Sequence, residues 1–448
     1  MKKTGLWLVM ALFLSCSPQP GTPPYDLVIS RVNLIDGTGS PLRAGVSIGV
    51  RDGRIAVIQK GELTARKTID GSGKFLIPGL FDGHVHTTDY RADFPRFVHY
   101  GVTSVFITGG SRCSNDLYAA MREMGDQDSI PAPRVFHTSQ HFTLEGRHPV
   151  KTYPSPNWVD GETVFFLKDT SQIEVLVDQV AAYPIAGIKL TIEDGPAPPI
   201  VERMPQVFIN KIVREAARHG LPVFAHASDN TEFLMAVRGG VRHLVHYVGI
   251  DLDWEDPEHL AAVDTIKARE GSWVTTLVLD KSFLYPLHPE WLASAGLNEL
   301  YPVEALKAML TPERVAQARE IEQFWRSEYG FEVVTPENIF AFQVDDVKKL
   351  YERGINMVLG TDVGNDFIFP GYSIHEEMAI LAQGGMAPPD IIKMATLNGA
   401  RMVEADSLLG SIEVGKMADL VLLKANPLDD IGNTQTIQTV IKNGVVQR

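Results

Sequence analysis

Disulfide cross-links cannot hold this chain together, because Cys16 and Cys113 are the only cysteines in 448 residues. A cationic surplus is also missing. Against 41 Lys and Arg stand 55 Asp and Glu, a net charge of −14, which argues against nucleic acid as the main partner. No apolar run reaches the roughly 20 residues of a membrane-spanning helix, and neither collagen-like periodicity nor low-complexity sequence occurs. What is present is a globular composition, 44% hydrophobic and 21% charged, with enough apolar residues for a large core. The 13 histidines are where chemistry is to be sought.

The first residues, MKKTGLWLVMALFLS, place two lysines before an apolar run from Leu6 to Leu14, the layout of a secretory signal over residues 1–15. Ser15-Cys16 then opens a Pro/Ser/Gly tether over 16–24. A small residue before a cysteine at this point resembles a bacterial lipoprotein signal, with Cys16 as the lipidated first residue. The expectation is an exported protein, periplasmic or at the cell surface, held to the membrane by a lipid anchor. Ordinary secretion with cleavage nearby is the alternative.

Both ends of the remaining chain read as β-structure. Asp52-Gly53 before an apolar run and Asn443-Gly444 between Val440-Ile441-Lys442 and Val445-Val446 are two-residue hairpin signals. The pattern predicts one small composite β-sandwich domain from residues 25–76 and 405–448. Between them, apolar strand candidates at 75–86, 103–108, 134–138, 187–192, 222–227, 243–248, 273–279 and 356–361 alternate with amphipathic stretches such as 208–219 and 256–269. Eight such units over 77–404 predict an α/β fold, a (β/α)8 TIM barrel. An open doubly wound sheet is the rival, but it leaves the placement of the polar residues unexplained. Two connections, about 139–171 and 280–336, are long enough to build a specificity-determining cover.

Those polar residues sit at predicted strand ends. His84 and His86 end the first strand and, two apart, point to the same face. His226, His246 and Asp362 end the fifth, sixth and eighth. One His-x-His pair is a weak signal. Metal-competent side chains ending four barrel strands are costly to bury unless they coordinate something. Lys189 lies between apolar neighbours in the fourth strand, where desolvation favours the neutral amine. A neutral amine can add CO2, and the resulting carbamate could bridge two cations; an unmodified lysine paired with a carboxylate is the alternative.

Four stretches carry a family resemblance: Ile77-Pro78-Gly79-Leu80-Phe81-Asp82-Gly83-His84-Val85-His86, Gly360-Thr361-Asp362, Met394-Ala395-Thr396-Leu397-Asn398-Gly399-Ala400, and Gly410-Ser411-Ile412-Glu413-Val414-Gly415-Lys416-Met417-Ala418-Asp419-Leu420-Val421. With them the chain resembles the amidohydrolase superfamily. Within it the chain is most similar to the imidazolonepropionase-like branch, which includes metal-dependent Xaa-Pro dipeptidases. The resemblance implies a metal-dependent hydrolase of amide or peptide bonds with two divalent cations, most often zinc. His84, His86 and Asp362 would hold one, His226 and His246 the other, and a carbamate on Lys189 would bridge them. Imidazolonepropionase itself is mononuclear and lacks that lysine, so Lys189 argues against its activity. Ala227-Ser228 after His226 and Val245 before His246 depart from the usual family residues.

A bridging hydroxide between cations about 3.5–4 Å apart is the expected nucleophile. Asp362 would take its proton and pass it to the leaving amine, and His246 or Tyr247 would help with the oxyanion. For a dipeptide or N-acyl amino acid, Arg112, His141 or Arg147 could meet the substrate carboxylate; an exposed polar loop is the competing account of the last two. No chemical role is assigned to His375-Glu376-Glu377 or to Cys113. A lactonase or phosphotriesterase on the same scaffold and a catalytically silent binding barrel are the rival functions. The superfamily commonly forms oligomers, which leaves a homo-oligomer open.

Overall fold

The computed structural model describes residues 24–87, 89–195, 199–246, 252–329 and 341–448. The predicted signal and tether, Cys16 and Tyr247 therefore lie outside the described residues. Among these residues no helix is long and apolar enough to cross a membrane.

Strands β1 (Tyr25–Leu34), β2 (Arg43–Arg51), β3 (Arg54–Lys60), β4 (Ala65–Asp70) and β5 (Phe75–Pro78) form the first part of the chain. The middle contains β6 (Leu80–Val85), β7 (Val102–Ile107), β8 (Arg134–His137), β9 (His141–Thr143), β10 (Val164–Phe166), β11 (Ile188–Thr191), β12 (Val223–His226), β13 (His243–Val245), β14 (Ser272–Val274) and β15 (Asn356–Val358). Strands β16 (Leu420–Leu423), β17 (Ile437–Lys442) and β18 (Val445–Val446) close it.

One sheet draws on both ends of the chain, in the order β18-β17-β16-β5-β1-β2-β3, with β4 beside β1. Its two-residue turns follow from sequence chemistry: Asp52, Gly53, Asn443 and Gly444 all have positive φ, which suits the twist of a tight hairpin. Alternate residues Leu27 and Ile29 of β1 join Ile48, Val50, Leu76, Leu420, Leu422 and Ile441 in one buried cluster.

The middle strands are parallel. They run β6-β7-β8 in one sheet and β10-β9-β11-β12-β13-β14-β15 in the other. Backbone hydrogen bonds tie the two sheets at both edges. Gly83 N donates to Leu359 O (2.8 Å) beyond β15, and Ala186 N donates to His137 O (2.8 Å) before β11. Gly83 is required there, since a Cβ would lie 2.7 Å from Leu359 O. Six strands each send one side chain (Phe81, Phe106, Phe224, Val245, Val274, Val358) into a single buried cluster. That cluster is the floor beneath the strand ends.

Two differences from the sequence expectation are physical. The strand expected over 273–279 ends at Val274, and Leu277–Leu284 is helical, because an apolar run cannot by itself distinguish a strand from a buried helix. The excursion expected after β8 contains β9 and β10, with His141 of β9 paired to Lys189 of β11.

Away from the strand ends, His375 is buried with Nδ1 2.9 Å from Thr434 Oγ1 and Nε2 2.9 Å from Tyr100 O. Burial pushes its pKa down to about 4. Between pH 6.5 and 4 the unfolded chain therefore binds a proton that the folded one refuses, so this residue weakens the fold as pH falls. Burial raises Asp82, Asp280 and Glu377 to about 7, which acts in the opposite sense over the same interval. The informative quantity is thus the difference between wild type and His375→Gln. Urea midpoints should show that difference shrinking by up to about 3 kcal/mol from pH 6.5 to pH 4; a constant difference refutes it.

Candidate metal centre

The floor cluster sets the heights of the side chains above it. Two residues on from Phe224, on the same face of its strand, is His226, while Thr276 and Asp362 lie two and four residues beyond the ends of β14 and β15 at Val274 and Val358. His246 breaks this parity, since it directly follows Val245 of the floor. Its φ of 78° turns the chain so that it also faces the mouth. Asp362 (φ 63°) and Thr276 (φ 88°) share that left-handed conformation. For a β-branched threonine it is strained, costing on the order of 1–3 kcal/mol.

The strained turns are held from behind. Thr276 Oγ1 lies 3.1 Å from His246 Nδ1. Glu377, fully buried, accepts from the N–H groups of Thr276 (3.0 Å), Leu277 (3.1 Å) and Val278 (2.7 Å). The buried Asp82 similarly couples two ligand-bearing segments. Its carboxylate accepts from His84 N (3.3 Å), Thr361 N (3.1 Å) and Thr361 Oγ1 (2.6 Å). Gly360 allows the close approach, since a Cβ would lie 3.0 Å from His84 N.

In front of these supports the polar atoms converge. His84 Nε2 and His86 Nε2 are 3.0 Å apart, and Asp362 Oδ1 is 3.4 Å and 3.1 Å from them. Such spacings suit neighbouring donors around one small cation, roughly 3.3 Å apart in a tetrahedral shell of about 2.0 Å radius. His246 joins His84 and Asp362 within 4.8 Å. The ring of His226 is 4.1 Å from that of His246. Lys189, 0% exposed, has no hydrogen-bond partner for its Nζ among the described residues. Asp362 Oδ1 and His246 Nε2 are likewise buried without one. Orphaned buried polar atoms of this kind carry a desolvation penalty that coordinated cations would remove.

Burial pushes His246 down to about 3, and His84, His226 and His141 well below the usual imidazole range. Neutral imidazole is the ligand form. Burial works to raise the Asp362 carboxyl, yet the adjacent His86 and His246 and the Lys189 amine hold it below its ordinary value. Lys189 falls to about 7, again chiefly by burial.

A cavity of about 190 Å³ opens in front, lined by the polar His86, His141, His226, His246 and Asp362 and by Tyr153, Trp158 and Leu279. His141 Nδ1 meets Thr191 Oγ1 at 3.0 Å. Arg112 and Arg147 do not line this cavity. Arg112 is exposed, and Arg147 pairs with Glu202 (2.6 Å) and Arg203 O. Glu377 caps a helix behind the site, and Cys113 is buried, its thiol raised to about 12 by that burial.

Two cavity residues carry no assigned role in the sequence reading. Glu193, 2% exposed, has its carboxylate against His226 Nε2, and His148 Nε2 lies 3.9 Å from the same carboxylate. Extending the alternation of β11 from Lys189 through Thr191 reaches Glu193, so its face was legible; the His148 contact was not. A further acidic group, Asp194, Asp229 and Glu232, is already paired with Arg203, with contacts of 2.8 Å to Asp194 and 3.0 Å to Glu232.

Parallel strands with metal-competent side chains at their C-terminal ends place a candidate metal centre where parallel α/β barrels carry their active sites. Residues 75–446 match the Amidohydrolase family, and the chain belongs to it. It is a hydrolase acting on carbon–nitrogen bonds. It is 22% identical to an imidazolonepropionase of Brevibacillus brevis, over 95% of this chain and 93% of that protein. To a D-aminoacylase of Alcaligenes xylosoxydans xylosoxydans it is 37% identical, but over only 20% of this chain and 19% of the other. A crystal structure of a Xaa-Pro dipeptidase with methionine bound in its active site shares the fold, at TM-score 0.70 and 22% identity, covering 94% and 99% of the two chains.

Proposed function

We propose that this protein hydrolyses an amide or peptide bond of a small substrate, such as a dipeptide or N-acyl amino acid, with a binuclear metal centre. The observation that carries this reading is the convergence of His86, His226, His246 and Asp362 on one cavity, with His246 Nε2 buried without a hydrogen-bond partner and Lys189, its Nζ buried and unpartnered, in register with His141 of the cavity lining. His84, His86 and Asp362 would hold one cation and His226 and His246 the other, with Lys189 as a carbamate contributing to both and zinc as the metal. The scaffold is a closed (β/α)8 barrel over residues 77–404, carrying the composite β-sandwich of 25–76 and 405–448.

When bound, the cations polarise the scissile carbonyl and ease loss of a proton from water. Asp362 accepts that proton at its carboxylate and returns it to the leaving amine. Thr276 occupies His246 Nδ1 (3.1 Å), so Nε2 is the atom left for the cation. Ligation at that atom removes His246 as an oxyanion donor. Tyr153, Trp158 and Leu279 supply an apolar wall for the substrate side chain. The cavity is below the roughly 300–1,000 Å³ of sites for drug-sized ligands, which favours a small substrate.

Lys and Arg are absent from the described cavity lining and from residues 88, 196–198, 247–251 and 330–340. A substrate carboxylate would therefore meet imidazole, with His141 lining the cavity and not assigned to a cation.

Metal analysis of the purified chain is the test, with about two cations per chain expected. Removal by a chelator should abolish hydrolysis and lower Tm, and Zn2+ should restore both. A screen of L- and D-dipeptides, N-acyl amino acids, lactones and phosphotriesters then assigns the bond. Metal-free protein that retains full activity, or turnover of lactones or phosphotriesters alone, overturns the proposal.

A further inference from the structure

We propose that Glu193 and His148 complete the second cation site with His226, so that the chain itself supplies a carboxylate ligand there. The proposal rests on the binuclear reading above and extends its ligand set. His148, Glu193 and His226 each offer one donor atom, and the three lie within 4.8 Å of one another. His148 and Glu193 are both 2% exposed. Apart from the contact with His226 Nε2, neither oxygen of Glu193 has a hydrogen-bond partner among the described residues, and both are buried. A buried carboxylate in that condition needs a counter-charge, and a cation shared with two neutral imidazoles provides one.

The surroundings are built as ligand support. Residues on either side of Glu193 are pinned: Ile192 N donates to His226 O (3.0 Å), and Asp194 N donates to Glu232 Oε1 (3.0 Å). The Glu193 side chain therefore has a fixed origin. His148 is oriented through its other ring nitrogen, with Nδ1 2.7 Å from Thr152 Oγ1 and Nε2 turned toward Glu193. Occupation of the distal nitrogen by a second partner is the usual arrangement of a ligating histidine. The rings of His148 and His226 are 4.8 Å apart. Two imidazoles and one carboxylate form a donor set typical of divalent zinc or cobalt, with room for further ligands.

The neighbouring acidic group does not compete for this role, because Arg203 already spans Asp194, Asp229 and Glu232. Glu193 is not among the carboxylates that Arg203 contacts. Lys189 is the one buried amine nearby, yet its Nζ and the Glu193 oxygens make no hydrogen bond. The structure thus does not read as a simple Lys–Glu pair.

The test is titration of the metal-depleted full chain with Co2+, followed by visible absorption and metal content after gel filtration. Wild type should take up about two equivalents. Glu193→Gln, nearly isosteric, should keep the first and bind the second at least about 100-fold more weakly. His148→Asn should weaken the second in the same direction, and Glu193→Asp should recover part of the loss. Circular dichroism establishes that each variant is folded; if Glu193→Gln is not, His148→Asn carries the test. Two equivalents at wild-type affinity in a folded Glu193→Gln or, failing it, His148→Asn overturn the Glu193–His148 assignment and leave the binuclear reading standing. Fewer than two equivalents in wild type overturn the binuclear reading and this extension together.

Discussion

Replacing Asp362 by Asn is expected to lower kcat by about 10²–10⁴-fold, the range for removal of a positioned general acid–base group. The carboxylate is 4% exposed, and its Oδ1 lies 3.1 Å from His86 Nε2. An amide of the same shape keeps an oxygen for a cation but cannot take up a proton. Asp82 still anchors Thr361, Asp362's neighbour, through bonds of 3.1 Å and 2.6 Å, so the backbone of the strand end should be unaffected. Metal analysis of the variant should retain at least one cation per chain. Kinetics near the wild-type rate would remove Asp362 from the proton-transfer role, whatever the metal content.

The second large effect concerns stability. Glu377→Ala leaves the N–H groups of Thr276, Leu277 and Val278 without their shared acceptor in a position 0% exposed. Each buried unsatisfied donor costs about 1–3 kcal/mol, so a total of roughly 3–9 kcal/mol is expected for the three. Thr276 is held with a φ of 88°, and this carboxylate is what over-determines its conformation. Relaxation of Thr276 would release the Nδ1 side of His246 (3.1 Å). Cation affinity should then fall along with the urea midpoint. Glu377→Gln keeps one acceptor and should lose less; an unchanged midpoint for the alanine variant would refute the account.

Much of the site was legible in the sequence because alternation along a strand is a strong rule. His84, His86, His226, His246, Asp362 and Lys189 can all be assigned to strands from apolar flanks alone, and the structure brings them to one cavity wall or directly beneath it. The rule has limits where the backbone leaves the strand region. The parity of Val245 and His246 puts them on opposite faces, and only the left-handed turn at His246 reverses that. Sequence patterns do not encode such a turn at a histidine. Glu193 could have been reached by extending β11 two residues past its end. His148 and the supporting role of Glu377 depend on contacts between segments far apart in sequence, which no local pattern contains. Arg147 is conspicuous as a cation in a loop near the site, but its Glu202 partner at 2.6 Å cannot be inferred from spacing.

The sheet shared by the two ends of the chain has a bearing on biosynthesis. β16 pairs along β5, from Leu420 opposite Pro78 to Leu423 opposite Phe75, and β6 begins only two residues beyond β5. While the ribosome has yet to deliver the last strands, β5 has an open, apolar edge on one side. Pairing between sequence-distant strands is slow, and an uncovered edge is a template for association with other chains. The strand that carries His84 and His86 is thus anchored to a seam that only the final segment can close. Nonsense or frameshift changes after Asp419 should yield insoluble protein, although every proposed ligand has by then been made.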